Sequence, residues 1–229
     1  YTCANDKSTN SELETTLFGN FNNLNIITWN IENYPKDGET NTYLRELINQ
    51  LDTINIIALQ EIESTITFNE LTNSLGDNWV GYRYQNGTWG ELSYLINTDE
   101  ITFETPYSIL NQDEYYFAYR PPYVLEFNYN NQDFILINIH YKCCGDGVLE
   151  DDENDEEYRR LQASLLLNDY ILTNFYDENV IVVGDFNDEL IDDDNVFEVF
   201  LNNPGEYLFT DYIVAEESNW EYWSFPTWP

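Results

Sequence analysis

Polar residues that could do chemistry follow apolar segments of the chain, at the point where each segment ends. They are Trp29-Asn30, Gln60-Glu61, Asn138-Ile139-His140 and Asp185-Phe186-Asn187. Carboxylates and amides supply oxygen ligands for hard divalent cations, and an imidazole can form a hydrogen bond to a phosphate group. Because α/β folds usually place their chemistry at the carboxyl ends of strands, we expect these residues to lie together.

Each of these segments also has a purely structural explanation. Gly184, Asp185 and Asn187 are turn residues and could simply end a strand. Glu61 could be held in a salt bridge, although the chain has only 8 basic residues, and His140, its one histidine, could be structural. If the backbone stays extended, the i, i+2 spacing makes Asp185 and Asn187 point the same way.

The elements that must position these residues are predicted from apolar patterning. Val180 to Val183 lacks polar alternation, which predicts a central strand buried on both faces. Further strands are predicted over 24–31, 54–59, 79–84, 92–96, 101–110, 123–129 and 134–140. Helices are predicted over 42–51, 65–75, 156–175 and 195–201, and an extended segment over 207–214. Helices alternate with strands at both ends and a run of strands lies between, which predicts two packed sheets with outer helices.

In order and approximate spacing, the four polar segments resemble the motifs of the endonuclease/exonuclease/phosphatase superfamily. That superfamily includes DNase I-like nucleases, apurinic-site nucleases, sphingomyelinases and inositol phosphatases. The resemblance covers residues 24–229, and Arg120-Pro121-Pro122 is similar to a family segment before a middle strand. The resemblance implies an α/β fold, a four-layer sandwich of two packed, mostly antiparallel sheets with outer helices.

The resemblance also implies roles for individual residues. Asn30, Glu61 and Asp185 would form a metal site for Mg²⁺ or Mn²⁺, and Asp185 would position or activate the attacking water. His140 and Asn187 would contact the scissile phosphate, and Asn30 and Arg120 would help to bind the substrate. The implied activity is hydrolysis of phosphodiester or phosphomonoester bonds.

The end of the sequence departs from the family pattern. Family members close with a Ser-x-x-Asp-His-like segment on a last core strand. This sequence closes with Ser224 to Pro229, which resembles the stretch that precedes the Ser-x-x-Asp-His-like segment in the family. We therefore expect the domain over 21–229 to lack its last core strand and its hydrolysis to be impaired. Residues 1–20 are polar and rich in Ser, Thr and Asn, which predicts a flexible tail. The alternative is a non-catalytic structural protein that self-associates into extracellular filaments when the tail adds a strand to an open sheet edge.

Charge and composition limit the partners. The formal net charge is −35, so the chain repels polyanions, and we expect it to meet a phosphate ester or nucleic acid only through a metal. No apolar run approaches the roughly 18 residues of a membrane span. The sequence contains no Met, which favours a processed, secreted product in an extracellular or periplasmic location.

Two further features suggest modification or metal binding. From Asp146 to Glu157, eight of twelve residues are acidic, which favours either a solvated loop leading into a helix or a Ca²⁺ loop. The candidate calcium ligands are Asp146, Asp151, Asp152 and Glu153. Cys3 is expected to form a disulfide with Cys143 or Cys144, and Asn86 begins a glycosylation sequon.

Overall fold

The computed structural model describes residues 19–20, 22–85 and 91–216. The first sheet contains four strands, β1 (Ile26–Tyr34), β2 (Ile56–Ile62), β3 (Trp79–Arg83) and β4 (Ser93–Asn97), in the order β1-β2-β4-β3. β1 pairs with β2 in parallel, whereas the β2–β4 and β3–β4 pairs are antiparallel. Every residue of β2 is buried, as expected for the apolar run at its centre.

The second sheet contains five strands, and the longest of them precede the polar residues of interest. They are β5 (Thr102–Phe103), β6 (Tyr107–Ser108), β7 (Tyr123–Tyr129), β8 (Gln132–His140) and β9 (Val180–Asp185). The order is β5-β7-β8-β9, and β6 also pairs with β7. Among the strands that the structure describes, only the β8–β9 pair of this sheet is parallel, so the predicted mostly antiparallel pairing is confirmed in both sheets.

Helices cover the outer faces of both sheets. α1 (Thr40–Gln50) and α2 (Thr65–Leu75) pack on the first sheet, and α3 (Glu156–Asn174) and α4 (Glu198–Leu201) pack on the second. A separate apolar cluster between the sheets includes Ile56, Tyr94 and Leu136. These layers confirm the predicted four-layer α/β sandwich. No helix in the described part of the chain is both long and apolar enough to span a bilayer.

The structure corrects several local predictions. The extended segment predicted over 207–214 is wrong, because the chain forms a short helix, α5 (Tyr212–Glu216), there. The strand predicted over 101–110 is two short pieces, β5 and β6, separated by a break at residues 104–106. β9 is half-buried and, within the described residues, ends its sheet, so it is not the central strand that its β-branched sequence predicted.

Some predictions fall outside the described residues. These are most of the N-terminal tail including Cys3, the sequon at Asn86, and the closing segment 217–229.

Candidate active site

Two parallel strand pairs bring the candidate residues to one edge of the sandwich. In the first sheet Asn30 lies opposite Gln60, and in the second His140 lies opposite Asp185. β1 and β2 both pack against β9 across the space between the sheets. The carboxyl ends of these strands therefore meet, and the side chains that follow them face one another.

The centre of this edge is a contact among residues from both sheets. The Asn30 Nδ2 group donates hydrogen bonds to Glu61 Oε1 at 3.0 Å and to Asp185 Oδ2 at 2.8 Å. His140 Nε2 lies 3.9 Å from each of these two acceptor oxygens, Glu61 Oε1 and Asp185 Oδ2. The structure thus brings together four of the residues that the sequence singled out, although they are up to 155 positions apart in the chain.

The backbone around Glu61 and Asn30 determines which atoms face the centre. Glu61 has a left-handed φ of +63°, and its Oε2 accepts a hydrogen bond from the Asn33 backbone N–H at 2.8 Å. The Glu32 backbone N–H donates to Asn30 Oδ1 at 2.8 Å. Asn30 therefore directs its amide nitrogen toward the carboxylates and acts as a hydrogen-bond donor in this arrangement, and its role as a metal ligand stays a prediction. The residue types did not indicate the contributions of the Glu32 and Asn33 backbone.

His140 is held in the neutral form. Burial lowers its pKa to about 2, and the positive charge of Arg120 nearby adds to the effect. Only 2% of the His140 surface is exposed. An imidazole in this environment stays uncharged at neutral pH and can form a hydrogen bond to a phosphate oxygen without carrying a charge to it.

Arg120 is buried beneath this edge and not open to solvent. Its Nε donates to the His140 carbonyl at 3.2 Å and its Nη2 donates to the Tyr141 carbonyl at 2.8 Å. Burial lowers the pKa of Arg120 to about 10, which still leaves it charged at neutral pH. The guanidinium fixes the end of β8, so this geometry supports a positioning role for Arg120, and the substrate contact that the resemblance implied stays a prediction.

The turn after β9 positions Asp185. Gly184 has a φ of +143°, and a Cβ at this position would lie 2.0 Å from the Ile139 carbonyl oxygen, so only glycine fits. The Asn187 backbone N–H donates to Asp185 Oδ1 at 3.1 Å, and the Asn187 side-chain amide donates to the Tyr141 carbonyl at 3.2 Å. Asn187 is left-handed, with a φ of +52°, so the predicted i, i+2 arrangement on extended backbone is wrong.

A buried amide pair joins the two sheets behind the site. Gln60 Nε2 donates to Asn138 Oδ1 at 2.8 Å, and Asn138 Nδ2 donates to the Leu59 carbonyl at 3.0 Å. Both side chains are almost fully buried. The sequence identified these residues only as polar strand ends, whereas the structure shows that they fix the sheets relative to each other at the depth of the site.

The candidate calcium ligands Asp146, Asp151, Asp152 and Glu153 are all exposed. The structure instead groups the carboxylates that follow them, Asp155, Glu156 and Glu157 at the start of α3, with ligand oxygens within 4.8 Å of one another.

Cys143 and Cys144 are free thiols with their sulfur atoms 2.8 Å apart. The pairing predicted for Cys3 lies outside the described residues.

Comparison with known proteins agrees with this arrangement. Residues 27–229 match the sequence model described as the Endonuclease/Exonuclease/phosphatase family. No curated protein sequence matches the chain.

Several solved structures share the fold at low sequence identity. An endonuclease/exonuclease/phosphatase from Bacteroides vulgatus is 15% identical with a TM-score of 0.58, over 78% of this chain and 70% of that one. The human Nocturnin catalytic domain with bound sulfate anion is 15% identical with a TM-score of 0.55, over 77% of this chain and 68% of that one. D. rerio TDP2, complexed with a single-strand DNA product, is 16% identical with a TM-score of 0.56, over 76% of this chain.

The match spans 64% of that zebrafish chain and 48% of the chain of C. elegans TDP2. At these identities the structural likeness establishes the fold, and the activity must be argued from the site. The four-layer sandwich and the match over most of the sequence agree: the chain belongs to the endonuclease/exonuclease/phosphatase family.

Proposed function

We propose that this chain hydrolyses phosphoester bonds with the help of a divalent cation held between its two sheets. The observation that supports this function is the approach of Glu61 and Asp185, from different sheets, to within 3.0 Å of one amide nitrogen of Asn30. Members of the family are hydrolases that act on phosphoester bonds and generally use divalent metals.

The donor set fits a hard divalent cation. The hydrogen bonds to these two carboxylates come from neutral amide groups of Asn30, Asn33 and Asn187, which leave both negative charges in place. Carboxylate oxygens are the ligands that Mg²⁺ and Mn²⁺ prefer. A cation would also offset repulsion between a phosphate ester and a chain with a formal charge of −35.

In this proposal Glu61 and Asp185 hold the cation, and each remaining side chain has a separate task. When bound, Mg²⁺ or Mn²⁺ would stabilise the charge that develops on the phosphoryl oxygens. Neutral His140 lies with Nε2 3.9 Å from both carboxylates, where a phosphoryl oxygen could accept its N–H. Arg120 keeps His140 in place through the two carbonyl groups, and Asp185 orients the attacking water.

We expect turnover to be slow in this 229-residue form. His140 is its only histidine, and with a pKa of about 2 it cannot accept a proton near neutral pH. A well-matched general base typically contributes about 10²- to 10⁴-fold to the rate, so we expect a deficit of that order.

Hydrolysis of bis(4-nitrophenyl) phosphate, 4-nitrophenyl phosphate and plasmid DNA, with Mg²⁺, Mn²⁺ or a chelator, tests the proposal. We expect metal-dependent release that falls about 100-fold or more in Glu61→Gln and Asp185→Asn. Asp151→Asn removes one exposed acid elsewhere and should have no effect. Activity that survives chelation, or that Glu61→Gln leaves unchanged, would contradict the proposal, as would the absence of any hydrolysis.

A second candidate function is assembly without catalysis. Within the described residues, β1 and β9 are edge strands, and an apolar groove beside β1 is lined by Ile27, Trp29, Leu47 and Leu51 among others. Exposed edges recruit other strands, so residues 1–20 of a neighbouring copy could add a strand and build a filament outside the cell.

Light scattering and non-reducing electrophoresis distinguish the two candidates. A monodisperse monomer of 27.1 kDa would exclude the filament. Concentration-dependent assembly, without hydrolysis of any of the three substrates, would favour it. Recovery of the native protein from the medium or the periplasm would support the proposed extracellular or periplasmic location, and recovery from the cytoplasm would contradict it.

A further inference from the structure

We propose that the start of α3 binds one Ca²⁺ ion through Asp155, Glu156 and Glu157. The ligand oxygens of these three side chains lie within 4.8 Å of one another. Ca²⁺ accepts six to eight oxygen ligands in flexible geometry, so these carboxylates and water can complete its coordination. The site shares no ligand with the proposed Glu61–Asp185 site and does not depend on the proposed hydrolysis.

Helix capping explains only part of this cluster. Asp155 is the N-cap of α3, and its Oδ1 accepts a hydrogen bond from the Tyr158 backbone N–H at 2.7 Å. Carboxylates in the first turn also interact favourably with the helix dipole. These effects account for Asp155 and for the partly exposed Glu156, but an acid used only for that purpose has no reason to be buried.

Glu157 is the observation that points to a ligand. It is 3% exposed, and its Oε1 accepts hydrogen bonds from the Gly147 N–H at 2.7 Å and from Arg160 Nη2 at 3.0 Å. Its Oε2 is buried and has no hydrogen-bond partner among the described residues. Leaving a buried carboxylate oxygen unpaired is costly, and a cation bound there would remove that cost.

The neighbouring cations leave room for a metal ion. Lys142 Nζ lies 3.3 Å from Glu156 Oε1, and both side chains are partly exposed, so the lysine can move into solvent when Ca²⁺ binds. Arg160 is fixed on the opposite side, because it donates to the carbonyls of Lys142 and Cys144 at 2.9 and 2.7 Å. It therefore continues to neutralise Oε1, and Oε2 remains the oxygen available to an ion.

The loop before α3 is closed over Glu157 by a glycine. Gly145 has a φ of +108°, and a Cβ there would lie 2.2 Å from Glu157 Oε1. The backbone therefore approaches the carboxylate too closely for any other residue, which keeps one side of the site in a defined shape. Ca²⁺ suits this combination better than Mg²⁺, which requires near-ideal octahedral geometry.

Titration of the full chain with Ca²⁺ by calorimetry, and with Tb³⁺ by luminescence, tests this site. The Tyr115 hydroxyl donates to the Glu153 carbonyl at 2.9 Å, so its ring is near enough to the loop to sensitise bound Tb³⁺. Because Glu157→Gln removes a partner of Arg160 and could unfold the protein, the informative variants are Asp155→Asn, which retains a capping side chain, and Glu156→Gln.

We expect each variant to weaken Ca²⁺ binding by about tenfold or more, and Ca²⁺ to raise the melting temperature of the wild type only. Asp151→Asn and Asp152→Asn remove the same charge from exposed positions of the loop and should change the affinity less than about threefold. Equal losses of Ca²⁺ affinity in the test variants and in these two control variants would indicate non-specific attraction of Ca²⁺ to an acidic surface and would overturn the proposal. So would no binding at millimolar Ca²⁺, or binding that only Glu61→Gln abolishes.

Discussion

At the edge between the sheets, Glu61 and Asp185 accept hydrogen bonds from neutral amides, whereas Glu157 and Asp188 share the guanidinium of Arg160. The amide of Asn30 joins the first pair at 3.0 and 2.8 Å, and Arg160 lies 3.0 Å from Glu157 and 2.6 Å from Asp188. The hydrogen-bond donors in the first region are neutral amides, whereas the donor shared in the second region is a buried guanidinium.

This difference separates function from stability. A carboxylate that accepts hydrogen bonds from neutral amides keeps its negative charge and is suited to hold an exogenous cation. A buried carboxylate with an arginine partner becomes an uncompensated charge when that partner is removed. Substitutions in the two regions should therefore differ in the size of their effect on stability and in whether a divalent cation reverses it.

The largest expected effect on stability follows from Arg160→Met. The side chains of Glu157 and Asp188 are only 3% and 8% exposed, so both would be left buried without their partner. We expect the free energy of unfolding to fall by about 3–5 kcal/mol in urea denaturation. Lys36→Met, which removes an exposed ion pair with Glu32, is the matched control and should cost no more than about 0.5 kcal/mol. Similar losses in both variants would remove the basis of the comparison.

Asn30→Asp tests whether a cation can replace the central amide. A third carboxylate between Glu61 and Asp185 should destabilise the metal-free protein by about 1–3 kcal/mol, because the shared donor is lost and a like charge is added. Mg²⁺ or Mn²⁺ should restore most of that loss. Asn128→Asp, beside Asp133 on the surface, is the control and should show neither effect. Destabilisation that divalent metal does not relieve would count against a cation site at this edge.

The buried histidine predicts a pH dependence. Its pKa is about 2 in the folded chain and ordinarily 6.5, so between these values the unfolded chain binds a proton that the folded chain excludes. Stability from this group therefore falls as the pH drops below 6.5. As the pH falls below 6.5, the free energy of unfolding of the wild type should decrease by about 1.4 kcal/mol per pH unit relative to that of His140→Gln. The measurement is denaturation without metal. A difference that does not vary from pH 7 to pH 5 would show that His140 titrates normally.

Asp192→Asn should give the smallest effect, and a stabilising one. Burial raises the pKa of Asp192 to about 6, helped by the negative charges of Glu189 and Asp188. Between about pH 4 and pH 6 the folded chain binds more protons than the unfolded chain, so the ionised Asp192 lowers stability above pH 6. The variant should melt up to about 3 °C higher at pH 7 and show no gain at pH 4. Asp193→Asn, at an exposed position beside it, is the control, and an equal gain there would indicate general charge repulsion.

Local sequence patterns, such as apolar runs and helix-capping residues, predicted much of the fold. The apolar run of β2 is fully buried, and α2 begins and ends at the predicted residues, with Ser64 capping it through the Thr67 N–H at 3.2 Å. β9 carries an equally apolar sequence, yet it is only half-buried, because its place in the sheet depends on which strands pair with it. A run of β-branched residues cannot distinguish these two positions.

The site was predictable in its residue types but not in its atomic roles. Polar strand ends indicated Asn30, Glu61, His140 and Asp185, and parallel pairing brings them together. The direction of the Asn30 amide depends on the left-handed backbone of Glu32 and its N–H, at a φ of +40°. The burial of Arg120 depends on carbonyl groups of another strand. The first contact is local but depends on a left-handed residue that is not glycine, and the second joins segments 20 residues apart, so residue types alone did not indicate either.

Binding of Mn²⁺ by calorimetry tests the central claim most directly, using the Asp155→Asn background so that α3 does not contribute. We expect one cation, held jointly by Glu61 from the first sheet and Asp185 from the second. Glu61→Gln and Asp185→Asn should each weaken binding about tenfold or more, and the double variant should lose less than the sum of the two free energies, as for residues that act on one ligand. Binding that neither substitution weakens would contradict the account.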